Sequence, residues 1–577
     1  MTTTAEAPPT DPAPVPAGRR TDTATAVAVP TVLVAVHLWV YGRWIVDDAG
    51  ITMAYARSIS NGFGPVLQPG APISEGWSDP AWLAVFVVAR WLGLLDHGAW
   101  FGVPDLVAFP KVVAVLCAAG MFLAFHRVAL RVSPNPLTTT MVAGTITAAI
   151  PSFVVWIGSG LENPLLALAA VLLAARLATA AIDGDLLSTR VALQCAGLAA
   201  LASLTRPDGA VYLAAYPLAV WVLATGTARW RSAALGVGVG VVPAVVYEVW
   251  RIATFGELLP TTAIAKRQGL ALDLGRPVEL VALIGWPACA IGVGALAVVI
   301  SKRAEASASW FKAISALLIA FGLALLAYSM LAPDWMAQAR FATPIWPLAA
   351  ITAVLVVSQV LAQLGGGSRR PVAALLALAL VVSGVTWVTS AVSFRLRPTV
   401  SLCGVTLTNA LVGSADADAL GLRSGSYLGV DAGGMALASR LSFVDLAGLT
   451  DPVIARFWRS NDMSGLRDHV FDVVRPTFMR LAASNGIAGP TGIVDDPRLI
   501  RDYVPLWIGP RDARTWVRRD VVPSEAVLQA AARSSTTLMD SVATRSAAAG
   551  PTSWTCPDAL RPPPEGAAAA VAVGRAG

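Results

Sequence analysis

Charged side chains make up only 14% of the 577 residues, against roughly 25% in ordinary soluble domains. With 56% hydrophobic residues and a mean hydropathy of +0.65, this shortage excludes a water-soluble enzyme. Lysine is scarcer still: Lys111, Lys266, Lys302 and Lys312 are the whole set, and Arg carries the rest of the positive charge. A net charge of +6, with the basic residues in short clusters between apolar runs, argues against a nucleic-acid partner. The 5 cysteines contain no CxxC spacing of the kind that holds a metal. Two phosphate signatures are also missing, the GxxxxGK[ST] loop and a GxGxxG between strand and helix.

What the sequence does have is long apolar segments. Runs at 27–46, 105–130, 138–157, 162–182, 190–205, 209–225, 231–253, 278–300, 311–332, 341–362 and 372–394 each approach the length needed to cross a bilayer, about 20 residues. The fifth and sixth are short and break at Thr205-Arg206-Pro207-Asp208-Gly209. Residues 78–96 are apolar but interrupted by Pro80 and Arg90, which predicts an interfacial helix. With the N-terminus in the cytoplasm, alternate loops carry Arg127 and Arg131, Arg190, Arg229 and Arg231, Lys302 and Arg303, and Arg369 and Arg370. All then fall on the inner side, as the positive-inside rule requires. If residues 78–96 spanned, these clusters would turn outward. The expected architecture is an α-helical polytopic membrane protein of about eleven spans with a C-terminal mixed α/β domain outside.

Residues 1–26 are rich in Thr, Ala and Pro and predict a disordered cytoplasmic tail. The membrane domain runs over 27–394, with a first outer loop at 47–104. From 395 to 534 charge rises and Lys disappears, and the runs 425–430 and 441–446 predict strands ending in polar loops. The Ala, Ser and Pro-rich stretch 535–577 predicts a loosely ordered tail. Cys403 and Cys556 are the cysteines that this scheme leaves outside the bilayer. An oxidising compartment permits a disulfide between them, and two free thiols are the alternative.

Most of the unusual polar residues fall in the outer loops. Asp47 and Asp48 follow the first span directly, where adjacent carboxylates are costly unless solvated, paired or used. They predict a general base or a carboxylate facing a sugar carbon, against the blander reading of a solvated helix cap. Tyr55, Arg57, Glu75 and Trp77 follow in the same loop, with Asn61-Gly62-Phe63-Gly64 between them. Aromatic rings beside amides and carboxylates suit a sugar cleft; the interfacial aromatic belt of any membrane protein is the alternative. Glu162 lies in Ser159-Gly160-Leu161-Glu162 and would line the same cleft. Arg206, Lys266, Arg267 and Arg340 put four cations on the outer side, against the positive-inside bias. They could clamp a phosphate leaving group or, taken singly, snorkel to lipid headgroups. Ionisable groups are scarce at mid-membrane, unlike in a coupled transporter.

In their order along residues 27–480, these pieces resemble the GT-C class of integral membrane glycosyltransferases. They are most similar to the actinobacterial arabinofuranosyltransferases of the AftB kind, which add terminal β-(1→2)-arabinofuranose to cell-wall arabinan. The resemblance is carried by Asp47-Asp48-Ala49, Tyr55-Ala56-Arg57, Glu75-Gly76-Trp77-Ser78-Asp79-Pro80, Arg206-Pro207-Asp208-Gly209, Leu259-Pro260-Thr261-Thr262 and Arg340-Phe341. Asp431-Ala432-Gly433-Gly434 and Asp445-Leu446-Ala447-Gly448 extend it into the outer domain. It implies a decaprenyl-phosphoryl-arabinofuranose donor, an arabinan acceptor, Asp47 and Asp48 at the reacting carbon, and a carbohydrate-binding outer domain. Donor and product are both β, so net retention follows, with an Asp as nucleophile or as base in same-face attack. No cofactor is required; the acidic pair permits a divalent cation, but no His or Cys nearby demands one. Transfer of another polyprenyl-phosphate sugar such as mannose, or flipping of a lipid-linked glycan, are the rival expectations.

Overall fold

The computed structural model describes residues 17–266, 272–301, 307–364, 366–550, 556 and 560–573. The apolar runs form helices, because inside hydrocarbon only an internally bonded backbone is satisfied. Helix α1 (Ala17–Val40) opens the chain. The short helices α2 (Asp47–Ser60) and α3 (Pro80–Trp91) follow. Then come α4 (Asp105–Val132), α5 (Pro136–Ala149), α6 (Pro151–Ile157), α7 (Asn163–Asp183) and α8 (Thr189–Thr205). The membrane part continues through α9 (Ala215–Leu223), α10 (Arg229–Phe255), the short α11 (Thr261–Ala265), α12 (Val278–Ile284) and α13 (Trp286–Ser301). It ends with α14 (Ala308–Met330), α15 (Ile345–Gln363) and α16 (Gly366–Leu396).

The protein is a multi-pass membrane protein. Among the described residues, 7 helices are long and apolar enough to cross a membrane, and up to 9 spans result if each bent pair counts as one. The α5–α6 pair bends by 76° at Pro151, which cannot donate to the helix, and the α12–α13 pair by 111° at Gly285. The two short segments flanking Arg206 form α8 and the run Pro207–Leu223, both below the spanning length. Eleven helical segments therefore match the expected positions, while length and composition alone support seven to nine spans. Helix α3 has 12 residues and is too short to cross.

Two expected boundaries move. Helix α1 already begins at Ala17, inside the stretch expected to be a disordered tail. Its Ala and Thr residues simply extend the first span by turns, and residues 1–16 lie outside the described residues.

At the other end, helix α19 (Glu525–Ala549) runs straight through the tail boundary expected at 535. Ala531, Ser535, Leu538 and Val542, spaced by three or four residues, are all buried along one face. A further helix, α20 (Ala568–Ala572), packs beside it.

The C-terminal domain is built on five strands: β1 (Ser426–Gly429), β2 (Ser442–Asp445), β3 (Phe478–Leu481), β4 (Tyr503–Ile508) and β5 (Arg514–Arg518). Their spatial order is β2-β1-β3-β5-β4. The first three are parallel, and β5 runs antiparallel to both β3 and β4. Adjacent side chains point to opposite faces, so Tyr427 and Phe478 join one core while Leu428 and Met479 join another. Helix Val412–Ala419 and α19 cover the first face. Helices α17 (Gly433–Ala438) and α18 (Pro452–Ser460) follow β1 and β2. Cys403 and Cys556 form a disulfide, with a Cα–Cα separation of 5.0 Å.

The loops assigned to one side do meet at one end. Val46 N donates to Ser159 O, Thr261 N to Glu75 O, and Leu402 N to Ile45 O. That end also carries the C-terminal domain. At the other end Arg131 pairs with Asp183, and Ser232 Oγ donates to Leu187 O.

Candidate functional site

Helix α2 starts at Asp47, and its first two residues have different fates. The Asp47 carboxylate is buried and accepts two backbone hydrogen bonds, from Gly433 N at 2.9 Å and Gly434 N at 2.8 Å. It therefore ties α2 to the N-terminus of α17. Gly433 is required there, because a Cβ at this position would collide with the Asp47 carbonyl. Burial pushes the Asp47 carboxyl well above its usual range, Asp431 and Asp48 push the same way, and the two N–H donors oppose them. Asp48 is half-exposed and, among the described residues, makes no hydrogen bond or ion pair. Its charge is felt by Lys266 and by Asp431. The acidic pair is thus one structural tie and one unengaged carboxylate.

Three of the four expected cations are described, and of these Lys266 feels the charges of both Asp48 and Arg340, while Arg206 and Arg340 share the Phe341 ring. Lys266 caps the C-terminus of α11 and is exposed. Desolvation lowers its pKa below the usual lysine range; Asp48 opposes that and Arg340 adds to it. Arg340 Nε lies 2.8 Å from Asp334, and its guanidinium sits 4.8 Å over the Phe341 ring. Arg206 is buried, 2.8 Å from Asp208 and 3.5 Å from Glu162, and stacks 4.4 Å over the same Phe341 ring. Burial works against the Arg206 charge, but Asp208 and Glu162 outweigh it and hold the pKa above its ordinary value. Among the described residues, Arg206 Nη1 has no hydrogen-bond partner. Arg267 lies outside the described residues.

Glu162 sits in the turn that Gly160 makes with φ +88°, which leads into α7. Asp79 is buried nearby, 3.3 Å from the Thr52 hydroxyl; burial and the Glu162 charge raise its pKa well above the usual carboxylate range. Among the described residues, no group of three or more His, Cys, Asp or Glu is placed to hold a metal ion.

The other expected sugar-binding side chains are packed away. Trp77 is 2% exposed, with its ring edge-on to Tyr55 and Phe255. Its Nε1 donates to Tyr247 Oη at 2.9 Å, and Tyr247 donates to Glu75 at 2.7 Å. Glu75 also binds Arg251 at 2.6 Å, and Arg251 pairs with Glu248, three residues before it on α10. Tyr55 Oη lies 2.6 Å from Ser74 Oγ. Arg57 forms a two-pronged bond to Asp96 and donates to Leu437 O and Leu560 O. With both ring faces covered, Tyr55 and Trp77 cannot stack on a sugar. With Arg57 and Glu75 they brace the first loop instead.

Sequence reasoning missed Asp334, Asn409 and Arg480, none of which stands in a distinctive motif. Asp431 was noted only as part of a Gly-rich piece. It lies within electrostatic reach of Asp48 and is hydrogen-bonded to Asn409.

With this geometry in view, comparison with solved structures identifies the fold. ArnT from Cupriavidus metallidurans in the apo state matches at a TM-score of 0.54 and 15% identity, over 88% of this chain and 100% of that one. The same protein bound to undecaprenyl phosphate matches at 0.53 and 16%, over 89% and 100%. The archaeal oligosaccharyltransferase AglB from Archaeoglobus fulgidus, in complex with an inhibitory peptide and a dolichol-phosphate, matches at 0.50 and 11%, over 88% and 75%. No family model and no curated protein matches the chain. The fold is that of the GT-C membrane glycosyltransferases.

Proposed function

We propose that this chain is a membrane glycosyltransferase moving arabinofuranose from decaprenyl-phosphoryl-arabinose to the ends of cell-wall arabinan, forming β-(1→2) links. The observation that carries the reading is Asp48, a carboxylate with no hydrogen bond or ion pair among the described residues, within electrostatic reach of Lys266, which in turn feels Arg340, in a GT-C fold. Two of the similar structures hold a polyprenyl phosphate, the kind of carrier this reading needs.

On this reading the bond from the sugar C1 to the phosphate oxygen breaks, and a bond from C1 to an acceptor hydroxyl oxygen forms. Lys266 and Arg340 take up the negative charge that grows on the departing phosphate; Arg206 and Glu162 form the wall behind it. Arg267 would join the phosphate site. Asp48 either attacks C1 first, giving a glycosyl-enzyme that the acceptor hydroxyl then displaces, or takes the proton of a hydroxyl that attacks from the face the phosphate leaves; either route gives retention. Asp47 holds the site together rather than touching the sugar. The C-terminal domain and the site face the outside of the plasma membrane, where lipid-linked sugars are the available donors.

The test is Asp48→Asn, assayed with radiolabelled lipid-linked arabinose. Loss of a base or nucleophile predicts a fall of about 10² to 10⁴ in turnover. Turnover at the wild-type rate would overturn the assignment. A polyprenyl-phosphate mannose run in parallel decides the donor.

A further inference from the structure

The C-terminal sheet holds a second concavity. Strands β1 and β3 are parallel neighbours, yet their outgoing chains leave in opposite directions: β1 towards β2 at one edge, β3 towards β4 at the other. In parallel sheets such a switch point opens a crevice at the carboxyl ends of the two strands, and ligands bind there. A cavity of about 160 Å³ occupies this place, lined by Gly429 at the end of β1, Asp431 just after it, Arg480 near the end of β3, and Asn485, Asn409 and Ala513. That is room for about five waters, the size class of one sugar ring. The polar groups are planar and already held. Arg480 donates to Thr408 O at 2.8 Å and stacks 4.9 Å over Trp507. Asn485 uses its oxygen on the N–H groups of Ile487 and Ala488, at 2.8 and 3.0 Å, which leaves its amide NH2 to donate. Asp431 is bound to Asn409 and offers carboxylate oxygens. Donors and acceptors at one rim are what sugar hydroxyls require, since each hydroxyl both gives and takes a hydrogen bond.

The crevice is not isolated from the candidate site. Asp431 stands two residues before Gly433, whose N–H holds Asp47, and it lies within electrostatic reach of Asp48. We propose that the crevice between β1 and β3 is an acceptor subsite that holds one sugar unit of the glycan next to Asp48, with Asp431, Arg480 and Asn485 taking its hydroxyls. The proposal rests on the transferase reading for the identity of the glycan; the crevice's preference for a sugar does not.

The experiment separates the two. The full-length protein in nanodiscs is titrated with an arabinofuranosyl oligosaccharide, and with a mannan oligosaccharide of equal length, without donor; binding is read by saturation-transfer NMR and calorimetry. Asn485→Ala removes a donor, and Ala513→Trp fills the rim; thermal unfolding checks that each is folded. The expected result is binding by wild type and by Asp48→Asn, weakened at least tenfold in both crevice variants, with a matching rise in acceptor KM. Unchanged binding in two folded crevice variants would overturn the proposal, as would wild-type protein that binds neither oligosaccharide. Crevice-dependent binding in a protein that transfers no sugar would sink the transferase reading and leave the crevice standing.

Discussion

Asp47 and Asp48 are neighbours in sequence and opposites in physical role. A hydrogen bond to a charged group contributes about 1.5–3 kcal/mol, and Asp47 accepts two from the backbone of α17. Asp47→Ala leaves both N–H groups buried without an acceptor. It is expected to cost about 2–4 kcal/mol and to lower the unfolding midpoint by several degrees. Asp48→Ala breaks no bond among the described residues and is expected to leave the midpoint within about 1 °C. Scanning fluorimetry on the two purified variants checks the pair; equal losses of stability would contradict the division of labour. Sequence could show that two acids stand together but not which one is tied, because the tie comes from glycines 386 positions away. The same limit hid Asp334 and Arg480, whose partners come from other elements. Trp77 and Tyr55 misled for a related reason. Aromatic rings near carboxylates look alike whether they stack on a sugar or on each other, and here Tyr247 and Phe255 cover Trp77.

Among the elements, the apolar helices were the most legible, since hydrocarbon dictates both their length and their composition. The strands β1 and β2 were legible too, as short runs bounded by Gly and Asp. Helix α19 was not, because its Ala and Ser content masks a stripe that needs only Leu538 and Val542 to bury. One polar contact at its seam is expected to make the docking of α19 pH-sensitive. Asp416, on helix Val412–Ala419, is fully buried and meets the Ser535 hydroxyl at 3.3 Å. Burial pushes its carboxyl up to about 7, against the small opposing pull of Ser535 and Arg480. The folded pKa is thus raised above the unfolded value near 3.9. A raised carboxyl pKa gives stability that is fully present below about pH 4 and is lost as pH climbs to about 7. Between these limits the wild type is expected to lose about 1.4 kcal/mol per pH unit relative to Asp416→Asn, with no further change above. Denaturation of both proteins from pH 4.5 to 8.5 reads this directly; parallel stability curves would show that Asp416 does not titrate in that window.

At the scale of the whole molecule, the structure is polar along the membrane normal. One end gathers the first loop, the Arg206 turn, α11, the Arg340 segment and the C-terminal domain, through bonds such as Thr261 N to Glu75 O and Gly433 N to the Asp47 carboxylate. The other end carries Arg131 with Asp183. The grouping by ends agrees with the alternation of basic loops that the positive-inside rule assigns to the cytoplasm. The disulfide between Cys403 and Cys556 belongs to the end with the C-terminal domain, and disulfides persist in oxidising compartments. Both lines of argument favour the proposed placement of the site outside. Single cysteines test that placement in intact cells: Ser424→Cys on an exposed turn of the C-terminal domain, and Asn135→Cys on the exposed loop between α4 and α5. Cys117 and Cys195 are buried, so only the half-buried Cys289 need be replaced by Ser as background. A membrane-impermeant maleimide is expected to label position 424 in intact cells, and position 135 only after permeabilisation. The reverse pattern would put Asp48 and its cations in the cytoplasm, where nucleotide sugars abound and a lipid-phosphate donor loses its rationale.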